Sequence, residues 1–291
     1  MPRFPRLWLY LRLARFDRPV GTLLLLWPTL WALWLSAQGS PDPTRLLVFV
    51  LGVVLMRAAG CVVNDIADRR FDRHVKRTAQ RVLTTGEVST REAAVFALIL
   101  FALSAGLLFF LNDLAIGLAL VAAVLAACYP LFKRFFPFPQ LVLGLAFGFG
   151  IPMAYADTLG SVPWTAWLLF LGNLLWVLAY DTAYAMVDRD DDLRLGLYSS
   201  AIAFGRFDVL AVLISQALFL ACLALVFYAQ GLGPFAWLGW GLACGYSLLL
   251  FRPLGQRDRE RCFAVFAKSH RVGLILWLGL LLHYESSRAL V

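Results

Sequence analysis

Charged residues are scarce in this sequence. Asp, Glu, Lys and Arg make up 15% of 291 residues, where soluble domains carry about a quarter. Hydrophobic residues reach 61% and the mean hydropathy is +0.76, which excludes an ordinary soluble domain. Strict polar–apolar alternation is missing too, which excludes a membrane β-barrel and leaves an all-α membrane protein. The five cysteines, Cys61, Cys128, Cys222, Cys244 and Cys262, include no CxxC pair, and four lie in or beside apolar runs. Neither a disulfide framework nor a zinc site follows from them. His74, His270 and His283 lack ligand spacing. No small-residue cleavage pattern follows the first apolar run. The basic and aromatic residues 1–18 therefore read as a helix lying along the membrane surface, not as a cleaved signal.

What is abundant is apolar runs near the ~20 residues that span a bilayer. They fall at about 20–37, 46–63, 93–111, 114–132, 141–156, 164–186, 209–230, 235–251 and 272–284. The fifth holds Gly150-Ile151-Pro152 and is expected to be broken or kinked; the ninth is short. The formal charge of +8 follows the membrane. Arg3, Arg6, Arg12, Arg15 and Arg18 precede the first run, and Arg69, Arg70, Arg73, Lys76, Arg77 and Arg81 follow the second. Further basic groups follow the fourth, sixth and eighth, whereas the turns near Asn112, Gly160 and Gly231 carry no Lys or Arg. By the positive-inside rule the N-terminus is cytoplasmic and, with nine spans, the C-terminus lies outside. The basic balance is an orientation signal in a lipid bilayer; no nucleic acid is implied.

Two carboxylate clusters stand at the ends of apolar runs, both on the cytoplasmic side by that rule. The first runs Asn64-Asp65-Ile66-Ala67-Asp68-Arg69-Arg70-Phe71-Asp72, and the second lies between Asp181 and Asp192. On a helix, Asn64, Asp68 and Asp72 form one stripe about 12 Å long, and Asp181, Tyr184, Asp188 and Asp192 share a face. A carboxylate at membrane depth costs about 2.5–3.5 kcal/mol on insertion scales, so such residues face a cavity, a partner or an ion. One cluster alone reads equally well as a solvated turn. Two, with basic residues able to hold phosphate nearby, favour cations between them, and an all-oxygen donor set favours Mg2+ bridging to phosphate. The pattern points to a Mg2+–diphosphate site at a membrane face. Ser89 and Glu92 fit a capping box that starts the helix after the first cluster. The order of cluster, loop and helix recurs about four helices later, a weak internal echo within one domain spanning 1–291.

These motifs carry a resemblance. The sequence resembles the UbiA superfamily of intramembrane prenyltransferases, and within it the bacterial 4-hydroxybenzoate polyprenyltransferases. The pattern N-D-x-x-D-x-x-x-D is matched in full at 64–72, and D-x-x-Y-A-x-x-D-x-x-D-D at Asp181, Tyr184, Ala185, Asp188, Asp191 and Asp192. The segments Leu55-Met56-Arg57-Ala58-Ala59-Gly60-Cys61 and Arg18-Pro19-Val20-Gly21 are similar as well, and the likeness runs along nearly the whole chain. One departure is Gln80-Arg81-Val82-Leu83, where the family usually has Asn-Arg-Pro-Leu: the arginine is kept and the stiffening proline is not.

The resemblance implies nine helices around a central cavity, open sideways to lipid and capped by cytoplasmic loops at about 64–92 and 188–208, in the bacterial inner membrane. It implies two Mg2+ ions binding a polyprenyl diphosphate, one on Asn64, Asp68 and Asp72 with Asp65 nearby as a further ligand or a support to the ligands, the other on Asp181, Asp188 and Asp192 with Asp191 in support. Arg81 and Lys133 resemble the family's diphosphate-binding cations; Lys76 and Arg77 either assist or serve topology alone. Tyr129 and Tyr184 match positions beside an allylic cation, whose charge a π face stabilises by about 0.5–2 kcal/mol. Asp191 or the diphosphate takes the ring proton. Arg57 stands among apolar residues and either pairs with a structural Asp or grips a carboxylate bidentately. In the family this position is associated with the carboxylate of the aromatic acid, here 4-hydroxybenzoate, in ubiquinone biosynthesis. Two rival readings stay open: another aromatic prenyltransferase of the superfamily, and a transporter using the acidic stripes as a cation path. Against the transporter, the acids sit at helix ends and not near the midplane.

Overall fold

The computed structural model describes residues 5–289, so Arg3 lies outside the described residues. Every regular element among them is a helix. Eight helices are long and apolar enough to cross a membrane, and a further apolar helix, α2 (Val20–Ser36), has 17 residues. Before it lies α1 (Pro5–Leu13), with Leu7 and Trp8 exposed and Tyr10 donating to Glu92 at 2.5 Å.

Local chemistry sets the helix ends. The Asp42 carboxylate accepts from the Arg45 amide, and Pro43 occupies the first turn of α3 (Pro43–Asp72), where its missing N–H costs nothing. The short α4 (Val82–Thr85) leads to α5 (Thr90–Leu107), which opens with the expected Ser89–Glu92 capping box. Asn112 caps α6 (Asp113–Phe132) through the Ala115 amide. The fifth run is broken as expected, into α7 (Pro139–Gly148) and α8 (Gly150–Leu159); Pro152 cannot donate back to Gly148. After Pro163, α9 (Trp164–Leu195) stops at Gly196, whose φ of 68° suits glycine. Then come α10 (Ser200–Phe204), α11 (Asp208–Ala229), α12 (Pro234–Phe251) and α13 (Arg259–Arg288).

Two expectations are corrected. The last helix is 30 residues long, not confined to 272–284: Asp258 caps it, and Lys268 and Arg271, which end the apolar run, lie on its exposed face. The acid-bearing parts of both expected cap loops are helical, because α3 continues to Asp72 and α9 to Leu195.

Six helices pack in a closed circuit: α3 on α2, α2 on α13, α13 on α9, α9 on α7, α7 on α6, and α6 back on α3. The circuit is pinned by aromatic rings. Trp176 of α9 stacks on Phe219 of α11 at 5.3 Å and meets Trp31 of α2 at 5.4 Å, while the Trp31 indole donates to the Gly273 carbonyl of α13 at 3.0 Å. Glycines let α12 and α13 touch: a Cβ at Gly239 would lie 2.7 Å from the Gly279 Cα. Outside the circuit, α5 lies along α3 and α11 along α9, so the order of acidic helix, short helix and long helix occurs twice. α5 and α6, although consecutive, make almost no contact with each other.

Candidate active site

The circuit encloses a cavity of about 680 Å³. Along α3 it extends from Val48 to Asp65, 17 residues and so roughly 25 Å at helical rise. One end is polar, with Asn64, Asp65, Arg77, Arg81, Lys133 and Asp181 on its wall. The other is apolar, bounded by Val48, Phe49 and Val53 of α3, by Leu107 at the end of α5, and by Ala119 and Leu120 of α6. Tyr184 lies under Arg77 at the polar end, and Tyr129 and Arg57 also line the cavity.

At the polar end, carboxylates of α3 and α9 meet cations from the connecting segments. Arg81 reaches Asp72 at 2.7 Å and Asp65 at 3.0 Å. Lys133 reaches Asp68 at 3.3 Å, and Arg77 reaches Asp188 at 2.5 Å while lying 4.5 Å over the Tyr184 ring. Tyr184 in turn stacks on Phe266 of α13 at 4.2 Å. Lys133 stands 6.0 Å from the centre of the Tyr129 ring. Burial is the largest influence on Lys133 and disfavours its charge, but Tyr129, Asp68 and Asp192 outweigh it and raise the ammonium above its ordinary range. Arg77 is likewise held up against burial, by Tyr184, Asp188 and Asp72. Both stay charged through the physiological range.

The structure sorts the expected residues. Asn64, Asp65, Asp181, Arg57, Arg77, Arg81, Lys133, Tyr129 and Tyr184 line the cavity, whereas Asp68, Asp72 and Asp188 meet its cations without lining it. Lys76 is exposed and forms no ion pair among the described residues, so of the adjacent pair only Arg77 joins the site. Asp191 is tied to Arg259 at 3.3 Å, off the cavity wall. Asp192 forms no ion pair among the described residues. Arg57 has none either; its guanidinium lies 5.6 Å from the Phe147 ring, so the alternative of a structural Asp partner falls away.

Sequence reasoning missed Arg15 and Phe266. Arg15, in the loop after α1, donates to both oxygens of Asp65 at 2.7 and 2.8 Å. It stands in an arginine run explained by topology, and no spacing marked it out.

Among the described residues no three Asp, Glu, His or Cys side chains converge as a ready metal cage. The donor chemistry nonetheless fits a hard divalent cation. Every candidate donor is oxygen, and the Asn64 Oδ1 is buried without a hydrogen-bond partner beside Asp68 and Asp72 on one helical stripe. Asp181 lines the cavity with no cation paired to it among the described residues.

Comparison with known proteins agrees with the all-helical fold. The sequence model of the UbiA prenyltransferase family matches residues 25–278. A 4-hydroxybenzoate octaprenyltransferase of Aeromonas salmonicida (strain A449) is 53% identical over 277 residues, covering 94% of this chain and 95% of its own. The apo structure of a UbiA homolog from Aeropyrum pernix K1 superposes with a TM-score of 0.79 at 29% identity, over 90% of this chain and 97% of that one. A UbiA homolog from Archaeoglobus fulgidus, solved bound to GPP and Mg2+, shares the fold with a TM-score of 0.69 at 19% identity, over 92% and 99% of the two chains.

Proposed function

The chain belongs to the UbiA prenyltransferase family, and from that premise we propose that it moves a polyprenyl group from a polyprenyl diphosphate to the ring of 4-hydroxybenzoate, ortho to the hydroxyl, as a step of ubiquinone biosynthesis. One observation carries the acceptor assignment: Arg57 is a guanidinium on the cavity wall with no acidic partner among the described residues. A planar carboxylate on an aromatic ring is the group that such a site lacks. The name of the Aeromonas salmonicida relative supports the same acceptor.

In this reading Arg77, Arg81 and Lys133 bind the diphosphate, and Asp65 keeps Arg15 and Arg81 at the cavity mouth. Mg2+, held by Asn64, Asp68 and Asp72 and by Asp181, Asp188 and Asp192, supplies neutralisation of the charge that gathers on the diphosphate. The prenyl tail occupies the apolar end. As the allylic C–O bond breaks, positive charge grows on the terminal carbon beside Tyr129 and Tyr184, whose ring faces favour it, and the apolar wall keeps water from trapping it. Arg57 holds the acceptor by its carboxylate, the carbon next to the phenol oxygen forms the new C–C bond, and the ring proton leaves to the diphosphate. Asp191, tied to Arg259 and off the cavity wall, is not placed to take it. The single domain sits in the bacterial inner membrane with the cavity mouth, both acidic motifs and the N-terminus on the cytoplasmic side.

Purified protein in detergent, given Mg2+, 4-hydroxybenzoate and a polyprenyl diphosphate, should yield a C-prenylated acid and free diphosphate. Chelation by EDTA should stop the reaction and added Mg2+ restore it. A product prenylated on oxygen, or no prenyl transfer under conditions where the protein moves a cation across vesicles, would overturn the proposal.

A further inference from the structure

Gly21 is the second residue of α2, buried, and lies on the cavity wall. Its backbone is not in the left-handed region, so the helix itself does not ask for glycine, which is among the poorest helix formers. Space does. A Cβ built on Gly21 would lie 2.3 Å from Arg57 Nη2, 2.5 Å from Nε and 2.8 Å from Cζ. Its three nearest neighbours therefore all belong to one guanidinium, which turns its Nε–Nη2 edge to the bare backbone of α2. Phe147 of α7 stands at 5.6 Å from the same guanidinium, and no acidic side chain among the described residues fixes it in place. With no ion pair among the described residues to aim it, Arg57 is held between the ring of Phe147 and the space left by the missing side chain of Gly21.

The geometry points to Gly21 as a positioning residue for acceptor specificity: by leaving room for the Arg57 guanidinium, it sets where an aromatic carboxylate is held. This rests on the reading of Arg57 as the carboxylate-binding residue. Because the group displaced by a Cβ is the far end of a flexible side chain, Gly21→Ala should move Arg57 without disturbing the core.

The test compares 4-hydroxybenzoate with a neutral phenol lacking the carboxylate, in wild type, Gly21→Ala, Arg57→Ala and the double variant, with thermal unfolding measured in detergent. Wild type should prefer the acid. Gly21→Ala should lose about 10-fold to 100-fold of that preference, through KM for the acid, as expected when a binding group is shifted by about 1 Å. KM for the prenyl diphosphate and the unfolding temperature should stay those of wild type. In the double variant Gly21→Ala should add nothing to Arg57→Ala, since the two changes act on one contact. If Gly21→Ala keeps the preference while Arg57→Ala loses it, the inference falls and the function stands. If Arg57→Ala keeps it, the carboxylate reading itself falls, and this inference with it. Should Gly21→Ala unfold, recovery of stability in the double variant supports the clash with Arg57, and continued instability refutes it.

Discussion

Asp68 and Asp188 stand on different helices, and each meets one cation of the cavity mouth, Lys133 and Arg77 respectively. Replacing either with Asn removes a charge and nearly keeps the side chain's volume. Turnover should fall about 100-fold or more, the scale seen when a group that stabilises developing charge is removed. The helical circular dichroism should remain that of wild type, because neither residue belongs to the apolar core. Activity within a few fold of wild type would reduce these carboxylates to counter-ions of a solvated turn. The acids were legible in the sequence because helical spacing leaves a periodic trace, and Arg57 because a lone charge among apolar residues stands out. Arg15 left no such trace: its grip on Asp65 joins positions 50 residues apart. Lys76 and Arg77 are neighbours of the same charge, and only the path of the chain after Asp72 decides that one faces solvent and the other the cavity.

Among the elements, α6 has the most specialised face. It turns small residues, Ala119, Ala122, Ala123 and Ala126, toward the cavity, while Val121 and Val124 are exposed on its outer side. Those alanines set the width of the apolar end. Ala123→Phe should fill part of it, so that kcat/KM for a long polyprenyl diphosphate falls by about tenfold or more, within the range by which pockets discriminate size. A short donor such as geranyl diphosphate should react nearly as before. Equal loss for both donors would mean that the substitution distorts α6 and not the tail site. Most of the helices were readable as apolar runs, and the break between α7 and α8 as a proline among glycines. The start of α13 was not, since its first turns are charged and only packing against α12 and α9 makes them part of one long helix.

For the whole molecule, orientation is the property that charge alone predicted, and reporter fusions test it. Fusions at Gly160 and Gly231, both at left-handed turns that end helices, should report the side opposite the acidic motifs; a cytoplasmic signal at either would break the nine-span topology. The family resemblance implied a central cavity open to lipid, but which six helices close it was not visible in the sequence, because apolar runs give spans but not which spans touch. Nor was the poor contact between α5 and α6, where Leu120 is both 58% exposed and on the cavity wall. That thin side has a kinetic consequence. A donor tail that reaches the site past α5 and α6 comes from the bilayer, so the enzyme senses the donor as a fraction of the surrounding lipid, a two-dimensional concentration. At a fixed bulk amount of polyprenyl diphosphate, doubling the inert phospholipid should slow a subsaturated reaction by about half, while the water-borne acceptor keeps its KM. A rate indifferent to that dilution would mean that the donor arrives from water.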